Sequence, residues 1–235
     1  DENHTAVTET STITVNKINS TLTLDDVVLD YGDSKNVTVA TEGATGITAK
    51  IDGVNVTVSN YTIPISGLGA GNYTLTVTTI ADKNHNPVTK EANITVNKVN
   101  ATLTVNDVVL DYGETKNITV TTEGATGITA KIDGVNVTVN GYTIPISGLG
   151  AGNHTLSVTT IPDDNHNPVT VTSKITVNKV ESTLTVGDIV FDYDGEGSGD
   201  VSFTGASEVT ANVINQPKAV VSVSGNKIFV SGLGA

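Results

Sequence analysis

The side chains best placed to do chemistry sit in two short stretches of the same pattern. Asp82-Lys83-Asn84-His85-Asn86-Pro87 and Asp163-Asp164-Asn165-His166-Asn167-Pro168 each gather carboxylate, amide and imidazole groups in six residues. Hard oxygen ligands of this kind suit calcium, and Asp82, Asp163 and Asp164 are weak calcium candidates, because the EF-hand spacing is not met. An Asp/Asn turn ahead of a proline accounts for the same letters. His4, His85 and His166 are one turn position repeated rather than a cluster, so a transition-metal site is the lesser reading.

A second chemistry is modification. Eleven Asn-x-Ser/Thr sequons stand at Asn3, Asn19, Asn36, Asn55, Asn60, Asn72, Asn93, Asn100, Asn117, Asn136 and Asn153. Alternating strands generate N-V-T unaided, since Asn and Thr face outward around an inward Val. In a secreted protein these same Asn residues would accept N-linked glycans. A third chemistry is cross-linking. Lys98 falls in phase with Ile94 and Val96, which directs it to a domain end, where a Lys–Asn isopeptide bond competes with simple snorkelling. For catalysis the sequence offers no Ser–His–Asp setting, no HExxH and no phosphate-binding Gly loop followed by a helix. The chain reads as a non-enzyme without a resident cofactor.

The elements that must carry these residues are strands. The 235 residues contain no Cys, Met or Trp and 4% aromatics, so any core is built from Val, Ile, Leu and Ala. Val, Ile and Thr favour pleated strands, while Asn and Gly favour turns. A formal charge of −13 repels phosphate backbones, which argues against nucleic acid. No apolar run reaches the ~20 residues a membrane helix requires, so no membrane insertion is expected.

Self-comparison gives the organisation. "TLTLDDVVLDYG" begins at Thr21, "TLTVNDVVLDYG" at Thr102 and "TLTVGDIVFDYD" at Thr183, 81 residues apart each time. This period exceeds that of a solenoid unit and suits an autonomous small domain. Within each copy apolar residues alternate: Val54, Val56 and Val58 share a face, Tyr73, Leu75 and Val77 point inward, and Ile118 and Val120 are buried. Seven or eight such strands in about 80 residues predict an all-β fold of tandem immunoglobulin-like antiparallel β-sandwiches arranged as an extended rod. The expected domains are 18–98, 99–179 and a divergent 180–235 lacking its last two strands. Residues 1–17 align with 82–98 as the terminal strand of a preceding repeat. In "LGAGNY" (68–73), Tyr73 is a tyrosine-corner candidate, with His154 at the matching position of the second copy.

"LGAGNYTLTVTTIADKNHNPVTKEANITVNK" and "LDYGETKNITV" resemble the two halves of bacterial Ig-like repeats in adhesin-like surface proteins of methanogenic archaea. The likeness covers essentially the whole chain and is weakest in 181–235. It implies an extracellular, cell-surface stalk or spacer without catalytic residues. Its partners would be adjacent repeats, other copies of itself, or other cell surfaces.

"SGLGA" at 66–70 and 147–151 is followed by further strands, but at 231–235 it closes the sequence. Two readings stand open: a piece of a longer array, or strand complementation, in which residues 1–17 of one subunit enter the open sandwich of the next to build a surface fibre or sheath. A carbohydrate-binding module is a third reading, weakened by the scarcity of aromatics for stacking on sugar rings.

Overall fold

The computed structural model describes residues 1–193, 195–215 and 218–232. Among them there is no helix. Contacts cluster into two compact units, one of residues 1–105, 119–144 and 157–172, the other of 106–118, 145–156 and 173–235.

The first sequence copy lies wholly in the first unit. Its strands are β1 (Ile18–Asn19), β2 (Thr21–Thr23), β3 (Val27–Asp30), β4 (Lys35–Thr38), β5 (Ala40–Glu42), β6 (Ala44–Ile51), β7 (Val54–Val56), β8 (Thr62–Ile65), β9 (Gly71–Ala81), β10 (His85–Asn86) and β11 (Thr89–Asn97). Five of them form a sheet in the order β3-β11-β9-β6-β7, and the pairs β2-β5 and β4-β8 supply the opposing layer. Leu22 of β2, Ile63 and Ile65 of β8, Ile47 and Ala49 of β6, Leu75 and Val77 of β9 and Ile94 and Val96 of β11 join one buried cluster. Residues from both layers meet in that cluster, which makes the copy a sandwich. Fully burying each such aliphatic side chain contributes about 1.5–3 kcal/mol.

The strands explain themselves locally. β9 alternates as the sequence predicts, with Leu75, Val77 and Thr79 buried between more exposed neighbours. β6 and β7 are joined by Asp52 and Gly53, both at positive φ (46° and 81°), the two-residue turn for which Asp-Gly is the preferred sequence. A register shift between Ala44 and Gly46 marks a bulge in β6.

The structure adds three particulars. The sheet is not purely antiparallel: β3 pairs parallel to β11, Val27 opposite Ile94 through Asp30 opposite Asn97. Two carboxylates clamp this short ladder, Asp26 Oδ1 accepting the Asn93 N–H at 2.7 Å and Asp30 Oδ1 accepting from Asn97 Nδ2 at 3.0 Å. Val54 lies on the core-side face, opposite Ile51, but is not covered; it is 70% exposed at the start of the edge strand β7, next to the turn. Residues 1–17 form no strand here, and Ile13 and Val15 are exposed.

The second copy repeats these elements 81 residues on. Val108–Asp111 pairs parallel to Thr170–Asn178, and Ala125–Ile132 turns through Asp133-Gly134 into Val135–Val137. Ile118 and Val120 are buried, as their alternation predicts. The divergent third copy is a four-stranded antiparallel sheet whose edge strand Thr183–Val186 pairs with Gly197–Thr204, followed by Lys227–Ser231 and Val220–Ser224. Its core is small: Val201, Ile228 and Val230, with Ile189, Phe191, Phe203 and Val223 packed around them. Leu184, Val186, Val220 and Phe229 stay exposed. The end of the third "SGLGA" lies outside the described residues.

Ile94→Ala, at a position with no solvent exposure, is expected to cost about 3 kcal/mol in urea unfolding. Val54→Ala should stay within about 0.5 kcal/mol.

Candidate functional site

The Asp-x-Asn-His turns are built the same way at each occurrence. Asp82 Oδ1 accepts the Asn84 N–H at 2.7 Å and pairs with His85 Nδ1 at 2.7 Å. Asp163 does so with Asn165 and His166, at 2.8 and 2.6 Å. Asp1, Asn3 and His4, outside any strand, make the same two contacts at 2.9 and 2.8 Å. The turn is therefore a local property of these four residues and needs no domain around it.

In the two sandwiches the imidazole gains a seat. His85 lies over Gly43 and His166 over Gly124, so closely that a Cβ on either glycine would overlap the ring. Both glycines have positive φ, 69° and 71°, and both carbonyls accept the N–H of the turn aspartate at 3.2 Å. Glycine here answers two demands, a left-handed backbone and room for a ring. The preceding linker is pinned alongside. Ser20, almost fully buried, donates its hydroxyl to the carbonyls of Gly43 and Asn86, and Ser20 N donates to Asn86 O at 3.0 Å. Ala101 N donates to Asn167 O at 3.0 Å in the matching place.

The hydrogen bond from His85 and that from the Asn84 N–H hold the Asp82 carboxyl below its ordinary value, and His166 and Asn165 do the same for Asp163. These contacts engage Oδ1 of Asp82 and of Asp163, and Asp164 is exposed. Among the described residues no group of three or more His, Cys, Asp or Glu side chains is arranged to hold a metal.

The second turn reaches a neighbour inside the first unit. Asn165 Oδ1 accepts the Ala70 N–H at 2.8 Å, and the His166 ring meets Tyr31 edge-on, with centroids 5.4 Å apart. Val99 N donates to Asn165 O at 3.3 Å, and Asn167 Nδ2 donates to Lys98 O at 3.4 Å. This contact went unnoticed in the sequence, although the repetition of N-H-N-P beside the recurring "NK" linker was its signal. Lys98 itself lies beyond β11 with its side chain exposed, not directed into a core, so the structure offers no buried setting for an isopeptide bond.

The remaining candidates are placed as follows. Tyr73 donates its hydroxyl to the Gly69 carbonyl at 2.9 Å, and His154 Nε2 meets Gly150 O at 2.8 Å in the second copy. Asn3, Asn19, Asn36, Asn55, Asn60, Asn72, Asn93, Asn100, Asn117, Asn136 and Asn153 are all exposed. Asn19 and Asn100 each accept a bond from a turn asparagine, Asn86 and Asn167. A shallow groove of about 350 Å³ between Ile51, Val54, Val56, Pro64, Leu68 and Tyr73 is mainly aliphatic, and the hydroxyl of its aromatic, Tyr73, is engaged with Gly69.

No known family matches the sequence, and no curated protein matches it. Among solved structures the chain is similar to fibronectin(III)-like modules of Clostridium thermocellum CbhA, at 19% identity over 68% of this chain and 94% of that one, TM-score 0.30. It is also similar to a three-immunoglobulin fragment of titin, at 10% identity over 93% and 89%, TM-score 0.39. A titin Z1Z2 pair in complex with telethonin matches at 16% identity over 71% and 100%, TM-score 0.39. The protein is an all-β chain of tandem immunoglobulin-like sandwiches.

Tyr73→Phe is expected to cost about 1 kcal/mol in chemical denaturation, the worth of one hydrogen bond. The lowered carboxyls add stability above their unfolded-state value, and that contribution is lost as pH falls through the lowered folded-state value. Carboxyl-carbon NMR should find His166→Ala moving the Asp163 midpoint upward and leaving that of Asp82 in place.

Proposed function

We propose that the chain is a non-catalytic stalk or spacer of an extracellular, cell-surface adhesin-like protein, with adjacent repeats as its immediate partners. The observation that carries this reading is the pinned junction inside the first unit. A linker of a few residues is tied by the Val99 and Ala101 N–H groups to the 163–168 turn, and that turn bonds Ala70 in turn. Short connections with backbone bonds on both sides restrict hinge motion, as distance-setting demands. Exposed threonine and asparagine on the outer strand faces keep such a stalk hydrated. N-linked glycans at the exposed sequons fit the same surface.

A spacer of sandwiches about 30–40 Å long in series would have a radius of gyration near 30 Å, against about 18 Å for a compact chain of this length. Small-angle scattering on the full chain checks this, and a value near the compact limit defeats the spacer reading. Glycopeptide mass spectrometry on protein from its native source should find hexose-bearing Asn before residue 154 and none after it, where sequons end.

The second reading is a fibre or sheath built by strand complementation. It is favoured by the unpaired, exposed Val7, Ile13 and Val15 and by the exposed Leu184, Val186 and Phe229 of the third copy. SDS-resistant ladders that vanish when residues 1–17 are removed are its expected signature, and a strictly monomeric protein disposes of it.

A further inference from the structure

We propose that Asn60 is the asparagine of the folded sandwiches that N-linked glycan transfer selects, with a lipid-carried oligosaccharide as the donor. This rests on the glycan-bearing surface proposed above and narrows it to one acceptor in the first copy. The step is a displacement at C1 of the donor sugar. The Asn60 amide nitrogen forms the new N–C bond as the C1–O bond to the lipid phosphate or pyrophosphate breaks. The carrier leaves with that electron pair, and the amide proton passes to a base of the transferase.

Of the ten sequons from Asn19 to Asn153, nine have their asparagine inside a strand. Asn60 alone stands in a turn, exposed, between β7 and β8, where Ser59 and Thr62 exchange backbone bonds of 3.0 and 2.8 Å. In a strand the asparagine and the threonine of a sequon project from one face about 6.6 Å apart, held by the ladder. Asn72 and Asn93 are of this kind, set opposite Thr95 and Thr74 in the β9–β11 pairing. A transferase has to close around the amide and the hydroxyl together, so a strand must first open out of its ladder. The 59–62 turn already projects from it. Thr62 Oγ1 folds back to within 3.5 Å of Asn60 O. Tyr61 anchors the turn, its hydroxyl donating to Ala44 O at 3.1 Å and its carbonyl accepting the Val39 N–H at 3.0 Å.

The second copy supplies the comparison. Gly141 occupies the place of Asn60, in a turn closed by the same two bonds between Asn140 and Thr143 and anchored by Tyr142 to Ala125 O. Asn60 and Gly141 are both left-handed, with φ of 46° and 62°. Asparagine tolerates that region, but Tyr61 follows it there at 61°, whereas Tyr142 stays out. The first copy therefore carries backbone strain that the second avoids, at the one turn where its letters spell Asn-Tyr-Thr. Asn55 is the nearest rival, because its strand β7 is an edge bonded only to β6.

The test uses the purified whole chain, a sequon-specific oligosaccharyltransferase and its lipid-linked donor, with short synthetic peptides of each sequon to normalise intrinsic reactivity. Peptide mass spectrometry should find Asn60 modified about tenfold faster than Asn55 once each rate is divided by that of its peptide. Gly141→Asn writes Asn-Tyr-Thr into the same turn of the second copy, at a backbone angle asparagine accepts, and should add a second fast site. Asn60→Gly should remove the first. Circular dichroism verifies that both variants keep the strand fold. Asn55 or another strand sequon reacting as fast as Asn60, or a folded Gly141→Asn chain that gains no site, overturns the proposal. Transfer to purified protein does not depend on where the chain resides. Sugar on Asn60 in this assay with none on protein from its native source defeats the surface reading instead.

Discussion

One aliphatic layer holds each sandwich together. Ile63, Leu75, Val77 and Ile94 have no exposure, and Tyr31, Tyr61 and Tyr73 pack, partly buried, against their cluster. With the buried packing supplied by aliphatic side chains, strand register is kept by polar devices at the rims. The carboxylates of Asp26 and Asp30 clamp the parallel ladder, the Asp52-Gly53 turn closes the β6–β7 hairpin, and Tyr73 ties its strand to Gly69. The core gives cohesion without direction, and the rim supplies direction.

Those rims are where the chain acquires anything resembling a site. The Asp-x-Asn-His turn forms even at residues 1–4, so its shape is encoded in four residues. What the sandwich adds is a glycine beneath the ring and a linker beside it. Charge, imidazole and amide groups that looked like ligands are spent on holding a corner and meeting a neighbour. That use accounts for their repetition every 81 residues.

Much of this was legible in the sequence, and the limits have physical causes. Period-two alternation in β9 and at Ile118 and Val120 predicts the buried faces directly, because a side chain in a strand can only point one way or the other. Val54 misled because alternation says nothing about edges: the residue is in phase yet lies on the outermost strand next to a turn. The parallel β3–β11 pairing was hidden because residues 67 positions apart leave no local mark of which strand lies beside which. The 1–17 segment carries a strand pattern and forms none, since pattern is a preference that only a neighbouring ladder can realise. The turn residues were found, but their service as contacts was not, because recognition between Asn165 and Ala70 depends on a distance no spacing rule encodes.

The parallel ladder has a mechanical consequence. The first sandwich is entered near Ile18 and left near Asn97, and β3 and β11 lie side by side pointing the same way. Once tension on the flanking chain has passed the short β1–β10 and β2–β5 pairs, it drags these two strands in opposite directions along their own length. Their hydrogen bonds, with the two aspartate clamps, then bear the load together and not one after another like a zipper. A tether assembled from such units would yield abruptly, at high force and one bead at a time.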